Sequence, residues 1–244
     1  MAHDHSAHSV QHIVPGFGAD RAAHYDAQAA LSLAGVQAMY ELVASAMTSR
    51  LDGQQDASLL AVGLGTGMEL VPYLRFDVPG WRFTGIDPSS AMLDVARKRL
   101  ETEGLLSRTH IHVGELKSLP EGPPFDGAQM MGILHHVEGD AARMELLREV
   151  ARRLKPGAPL VIGCRVGKDP VLTDVEFRRL RAHGIPKEEL DHRRKLFDAK
   201  VTPIESDAVL AGMLEQAGFT TPKPLFVSLQ FKVFLTQSGT ASQG

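Results

Sequence analysis

From residue 58 onward, apolar runs of strand length alternate with stretches whose apolar positions recur at helical spacing. SLLAVGLGTG at 58–67 reads as an apolar strand entering a glycine-rich turn, and WRFTGID at 81–87 as a second strand. Between them VPYL at 71–74 belongs to the intervening helix or follows it, with Pro72 blurring its boundary. Residues 89–100 form a helix that buries Met92, Leu93, Ala96 and Leu100. THIHVGEL at 109–116 holds a third strand and FDGAQMMGIL at 125–134 a fourth. ARMELLREVARRLKPG at 142–157 is a helix with a Pro-Gly stop, followed by a fifth strand, APLVIGC, at 158–164. Strands separated by helical stretches predict βαβ units and a mostly parallel sheet.

The flanks differ. Residues 1–20 carry no steady period and read as a flexible polar tail, with histidines at 3, 5, 8 and 12. From Ala22 to Arg50 the apolar positions Leu31, Met39, Leu42, Val43 and Met47 fit a helical face, as one long helix or two short ones broken at Gly35. Charge-rich residues 165–205 read as a helical cap inserted after the fifth strand. A last helix at 207–217 stops before Gly218, and two closing strands follow, with Pro222 and Pro224 limiting the start of the first. The expected fold is therefore α/β, a Rossmann-like doubly wound sheet of seven mostly parallel strands. It spans residues 21–235 as a single domain, with a helical lid at 21–50, the cap at 165–205 and a flexible tail at 236–244.

Composition narrows the partners. Lys and Arg total 26 against 29 acidic residues, a net charge of −3 that supplies no broad basic surface for nucleic acid. A local RNA- or substrate-binding patch remains compatible with it. The single cysteine, Cys164, excludes an internal disulfide framework and a multi-cysteine metal cage. It lies in apolar text and reads as a buried thiol. No apolar run approaches the roughly 20 residues that span a bilayer. The polar opening MAHDHSAHSVQH has no signal-peptide core, so a cytoplasmic location is expected.

The chemistry gathers at the strand exits. Gly63-Leu64-Gly65-Thr66-Gly67 follows an apolar strand, where glycines admit close approach of a ligand to the backbone. Free N–H groups at the following helix start suit a phosphate or a carboxylate. The spacing is G-x-G-x-G, which matches neither the dinucleotide fingerprint nor a Walker loop. Asp87 lies 20 residues after Gly67, at the end of the second strand. An acid there can accept hydrogen bonds from ribose hydroxyls, or it can cap the helix that follows. Gly132, His135 and His136 stand at the exit of the fourth strand, where a neutral imidazole can orient an acceptor or take its proton, or simply pack and support the loop. No residue set calls for a metal.

These pieces together resemble class I S-adenosylmethionine-dependent methyltransferases. The resemblance rests on LAVGLGTG at 60–67, GIDPSSAMLDVAR at 85–97, VGELKSLP at 113–120, FDGAQMMGILHHV at 125–137 and LREVARRLKPGAPLVI at 147–162. It implies S-adenosyl-L-methionine as cofactor, with the methionine end at the glycine loop and the ribose on Asp87. Glu115 falls where the family contacts the adenine amino group, although Asp is commoner there. Leu116 and Met92 offer apolar adenine contacts, and Met92 reads equally as a buried helix residue. One departure concerns the acid that family members often carry two positions before the first glycine, which is Ala61 here. Tyr25, with Asp26 or Arg21, can close over the cofactor or serve ordinary helix capping.

The primary expectation is methyl transfer to a small-molecule acceptor, with no membrane partner. The sequence leaves the oligomeric state open. Nucleic-acid modification stands second: residues 23–42 and 206–235 faintly resemble carboxy-S-adenosylmethionine synthases. Intramolecular cyclisation of the cofactor, as in the similar azetidine-2-carboxylate synthases, is a third reading, and a non-catalytic cofactor-binding protein a fourth.

Overall fold

The central strands are apolar on both faces, so both faces must be covered. The computed structural model describes residues 19–239. Strands β1 (Ser58–Val62), β4 (Gly127–Met131) and β5 (Pro159–Arg165) are buried along almost their whole length, as expected for parallel strands with helices on either side. Strand β2 (Arg82–Asp87) lies next to β1, and β3 (Thr109–Val113), at the edge, is only partly covered. With β6 (Lys223–Ser228) and β7 (Phe231–Gln237) they form one seven-stranded sheet in the order β3-β2-β1-β4-β5-β7-β6. The first five strands run parallel; β7 pairs antiparallel with both β5 and β6. The order reverses between β1 and β4, which makes their carboxyl ends the place where a ligand is expected.

Alternation along each strand divides the core in two. Leu60, Val62, Met130, Leu160 and Ile162 face helices α4 (Asp140–Arg152) and α7 (Asp207–Gln216) through Leu147, Val150, Leu210 and Leu214. Leu59, Ala61 and Val161 face the other way, onto α2 (Val36–Arg50) and α3 (Ser90–Thr102). There Trp81, Tyr73 and Phe83 are buried together. Tyr73 lies 5.2 Å from the Phe83 ring and 6.0 Å from Trp81 between centroids, a tilted aromatic cluster at the base of the first crossover.

Local chemistry sets the element ends. Ser89 caps α3 by accepting the Met92 N–H at 3.3 Å, and Ser206 caps α7 by accepting that of Val209 at 3.2 Å. The N-terminal helical region is two helices, α1 (Ala19–Ser32) and α2, meeting at 93° across Gly35, whose φ of 80° is open to glycine without strain. The insertion after β5 is helical too, α5 (Pro170–Ala182) and α6 (Lys187–Lys200). No single helix among the described residues is long and apolar enough to cross a membrane. The histidines at 3, 5, 8 and 12 lie outside the described residues.

Some sequence expectations shift. The first crossover is a 3₁₀ helix, Met68–Arg75, with Pro72 inside it. Pro224 does not precede the closing strand but sits within β6, beside a bulge between Pro224 and Phe226. An edge strand tolerates a residue without an N–H, and β6 is that edge. Strand β7 runs past 235 to Gln237, and Ser238 bridges Phe219, so order continues beyond the expected boundary. Cys164 lies inside β5 and is fully buried, and burial pushes its thiol up to about 12.

The cap is joined to the sheet by a charge pair. Arg165, the last residue of β5, donates to both carboxylate oxygens of Glu176 on α5, at 3.0 and 2.7 Å, with the two side chains only 14% and 10% exposed. Removing one partner strands the other charge in a poorly hydrated site. Glu176→Ala is therefore expected to cost about 3 kcal/mol in chemical denaturation. The same variant should speed proteolysis within residues 170–200 while the circular dichroism of the sheet holds; unchanged stability and cleavage would contradict the role given to the pair.

Candidate active site

The glycine loop takes its shape from the end of β2. Gly63 and Leu64 both donate their N–H to the Ile86 carbonyl, each at 2.8 Å, and the Gly65 N–H goes to Asp87 Oδ2 at 3.0 Å. The three glycines adopt φ of 77°, 55° and 74°. Gly63 has a second reason to lack a side chain: a Cβ there would lie 2.1 Å from Ile133 Cδ1, at the exit of β4. The Met92 methyl lies beneath Gly65, 3.5 Å from where a Cβ would stand, so Met92 is a buried support of the loop. Asp87 Oδ1 accepts the Ser89 N–H at 2.9 Å. Burial pushes the Asp87 carboxyl up, and its bonds from Ser89 and Gly65 oppose that shift. Both alternatives read from the sequence are thus compatible, because each oxygen keeps a second lone pair.

Helix α1 lies over this loop and is clasped to it. Thr66 Oγ1 donates to Asp26 Oδ1 at 2.6 Å, while Arg99 of α3 pairs with the other Asp26 oxygen and donates to the Thr66 carbonyl. Tyr25, on the same turn, lines a cleft with Tyr40, Gly63, Leu64, Gly65, Thr66, Met68, Glu69 and Met131. At its far end α1 meets the cap: the Arg179 guanidinium of α5 donates to the carbonyls of Leu31 and Ala30. Asp26 thus makes a specific contact rather than a surface cap. Arg99, Thr66 and Tyr40 were not singled out by sequence, because each acquires its role through a partner distant along the chain.

One buried acid also went unnoticed. Glu69 stands in the first turn of the 3₁₀ helix, 4% exposed, and its Oε1 has no hydrogen-bond partner among the described residues. Burial raises its carboxyl to about 8; the Gln129 amide on β4 opposes the rise and Asp87 adds to it. Gln129 Oε1 accepts the Tyr73 hydroxyl at 2.9 Å.

The remaining predicted residues divide into groups. Gly132, with φ of 76°, donates to the Gly163 carbonyl at 2.7 Å and leads into the turn that carries the histidines. His135 is buried, its Nδ1 accepting the Arg165 N–H at 3.3 Å and its carbonyl accepting that of Thr202 at 3.0 Å. Burial, His136 and two arginines hold its imidazole well below the ordinary range, so it is neutral. His136 is half-buried, 4.3 Å from His135 between ring centroids. Arg143, also unforeseen, ties this turn to the returning cap by donating to the carbonyls of Val137 and Thr202 at 3.1 and 2.6 Å. Beyond β3, Leu116 is buried, and Glu115 is paired with Lys117 at 2.8 Å. Tyr25, Gly63 and Gly65 therefore share one cleft, with Asp87 and Met92 behind the loop and Gly67 outside the cleft lining, whereas His135 and His136 follow β4. Among the described residues no group of three or more His, Cys, Asp or Glu is arranged to hold a metal.

Glu69 makes stability depend on pH. Its folded value of about 8 against an ordinary 4.5 means that the folded chain holds the proton more tightly. Its contribution is full below pH 4.5 and is lost as pH rises to about 8, at up to about 1.4 kcal/mol per pH unit. Urea unfolding of the protein without added ligand should show stability declining through this window, and Glu69→Gln should flatten the decline; parallel profiles would refute it.

Comparison with known proteins agrees with this arrangement. Residues 59–157 match the family described as a methyltransferase domain. Over 120 residues the chain is 34% identical to an uncharacterised 37.1 kDa protein in a transposon of Streptomyces fradiae, a match covering 49% of this chain and 33% of that protein. It is 26% identical over 135 residues to a protein-L-isoaspartate O-methyltransferase of Aeropyrum pernix, over 55% of this chain and 48% of the relative. Among solved structures, an O-methyltransferase family 2 protein from Planctomyces limnophilus in complex with apigenin superposes with a TM-score of 0.65 at 20% identity, over 90% of this chain and 61% of that one. The chain thus spans 33% to 61% of the length of these three relatives. With the glycine loop at the switch point of such a sheet and Asp87 at the end of the adjacent strand, the chain has the class I S-adenosylmethionine-dependent methyltransferase fold, and its residues 59–157 match the methyltransferase-domain family.

Proposed function

We propose that the protein binds S-adenosyl-L-methionine and transfers its methyl group to a small-molecule acceptor. The observation that carries this reading is the coupling of the glycine loop to Asp87 at the carboxyl ends of β1 and β2. The residues fit the cofactor: Gly63 and Gly65 line the cleft without side chains of their own, and a buried Glu69 carboxyl oxygen in the same cleft lacks a partner among the described residues. When bound, the cofactor supplies a methyl group on a sulfonium, which needs no protein nucleophile or metal. In this reading Gly63, Gly65 and Gly67 border the amino-acid end, Asp87 accepts from the ribose hydroxyls, Glu115 and Leu116 flank the adenine, and Met92 supports the loop from behind. Tyr25 closes the cleft from α1. The chain contributes alignment of the acceptor and exclusion of water.

Two features favour a small acceptor. Helix α1 and the cap are joined through Arg179, which roofs the strand exits. Within the cap, Arg193 and Arg194 are paired with Glu189 and Asp174, so part of its positive charge is already matched. Of the two histidines, His136 is the one to orient an acceptor or take its proton, and buried His135 positions the turn.

Mass spectrometry of the full chain with S-adenosylmethionine, with and without a metabolite extract and a phenolic panel that includes apigenin, tests the reaction. S-adenosylhomocysteine is expected only when an acceptor is present. Methylthioadenosine and a cyclic amino acid formed from the cofactor alone would replace methyl transfer with cyclisation. Asp87→Ala is expected to weaken S-adenosylhomocysteine binding about 10- to 100-fold, and unchanged affinity would remove the ribose role.

A further inference from the structure

A charged group is seldom buried without a partner, because the cost of removing it from water is not returned. Glu69 would be such a group once ionised, and its surroundings make the need specific. From β2 it faces Asp87, a second anion. From β4 it faces the neutral Gln129, from its own helix Tyr73, and from α2 Tyr40. The phenols of Tyr40 and Tyr73 are pushed well above their ordinary range by burial and stay protonated. Tyr25 and Asp26 of α1 act on the same Tyr40 hydroxyl, and Arg99 is clasped to Asp26. The cleft that Glu69 lines therefore offers a cation one carboxylate oxygen and two tyrosine side chains.

The position of this acid answers a gap elsewhere. The resemblance to class I methyltransferases implies an acid at position 61, where this chain has Ala61, the register partner of Gln129 across β1 and β4. Register partners share a sheet face, and Gln129 is the neighbour of Glu69. Ala61 and Glu69 are thus both neighbours of one glutamine, the first by strand register and the second by side-chain interaction. We infer that Glu69 binds the α-ammonium group of the cofactor's amino-acid end, in place of the acid absent at position 61. The assignment rests on the cofactor reading above. Without the ammonium the carboxyl keeps its proton. As the ammonium docks, that proton leaves to solvent and a charge-assisted hydrogen bond forms, with no covalent change.

Calorimetry on the full chain separates this inference from the reading beneath it. S-adenosylhomocysteine carries the ammonium, whereas methylthioadenosine lacks the amino-acid end. At pH 7, in two buffers of different ionisation enthalpy, the wild type should release close to one proton on binding S-adenosylhomocysteine and none on binding methylthioadenosine. Glu69→Gln should weaken S-adenosylhomocysteine about 10- to 100-fold, abolish the proton release and leave methylthioadenosine within about twofold of the wild type. Equal loss of both ligands, or no loss of either, would overturn the role of Glu69 while the cofactor reading stands. If the wild type binds neither compound, both fall. Should Glu69→Gln not fold, proton release by the wild type decides alone, and equal release with the two ligands overturns the inference.

Discussion

The site depends on three hydrogen bonds at the end of one strand. The Ile86 carbonyl receives two successive N–H groups from the glycine loop, and the Asp87 carboxylate receives the next available one. These bonds turn the chain away from the sheet immediately after β1 and fix the loop against its neighbour. In the proposed function they couple ribose binding to loop shape, since the acid that holds Gly65 is the one proposed to take the ribose. Ile133 adds a steric constraint from the other side, so the loop is bounded by β2 and by the exit of β4. Neither contact depends on a flexible surface side chain.

Much of this was legible because it is local. Apolar runs in β1, β4 and β5 are continuous, as double-sided burial demands, and the glycine spacing is written within a few residues. The break at Gly35 was likewise a matter of adjacent residues. What escaped notice is long-range. Asp26 meets Thr66 and Arg99 only after the sheet has formed, and Arg143 reaches Thr202 across the cap. Glu69 looks like an ordinary acidic residue at a helix start, and only folding reveals it as buried. Pro224 was misjudged for a related reason: proline breaks a central ladder but not an outer one, and sequence does not state which strand lies outside.

The two histidines illustrate how adjacent residues of one type diverge. Position 135 points into the core and is held by backbone on two sides, whereas position 136 is half-buried. Helical or strand periodicity does not govern a short 3₁₀ turn, so their roles separate only through tertiary packing. The same turn receives the returning cap through Arg143 and Thr202. That turn is thereby assembled from β4, β5 and the insertion together, while the glycine loop is held mainly by β1 and β2.

The lone cysteine gives the molecule an internal reporter. Cys164 sits near the end of β5, paired with Lys232 of β7 and wholly shielded, with its thiol far from ionisation at neutral pH. An alkylating reagent attacks the thiolate and needs access to it. Labelling of this chain therefore waits on opening of the core layer that covers β5, and its rate under native conditions is a direct clock for that opening.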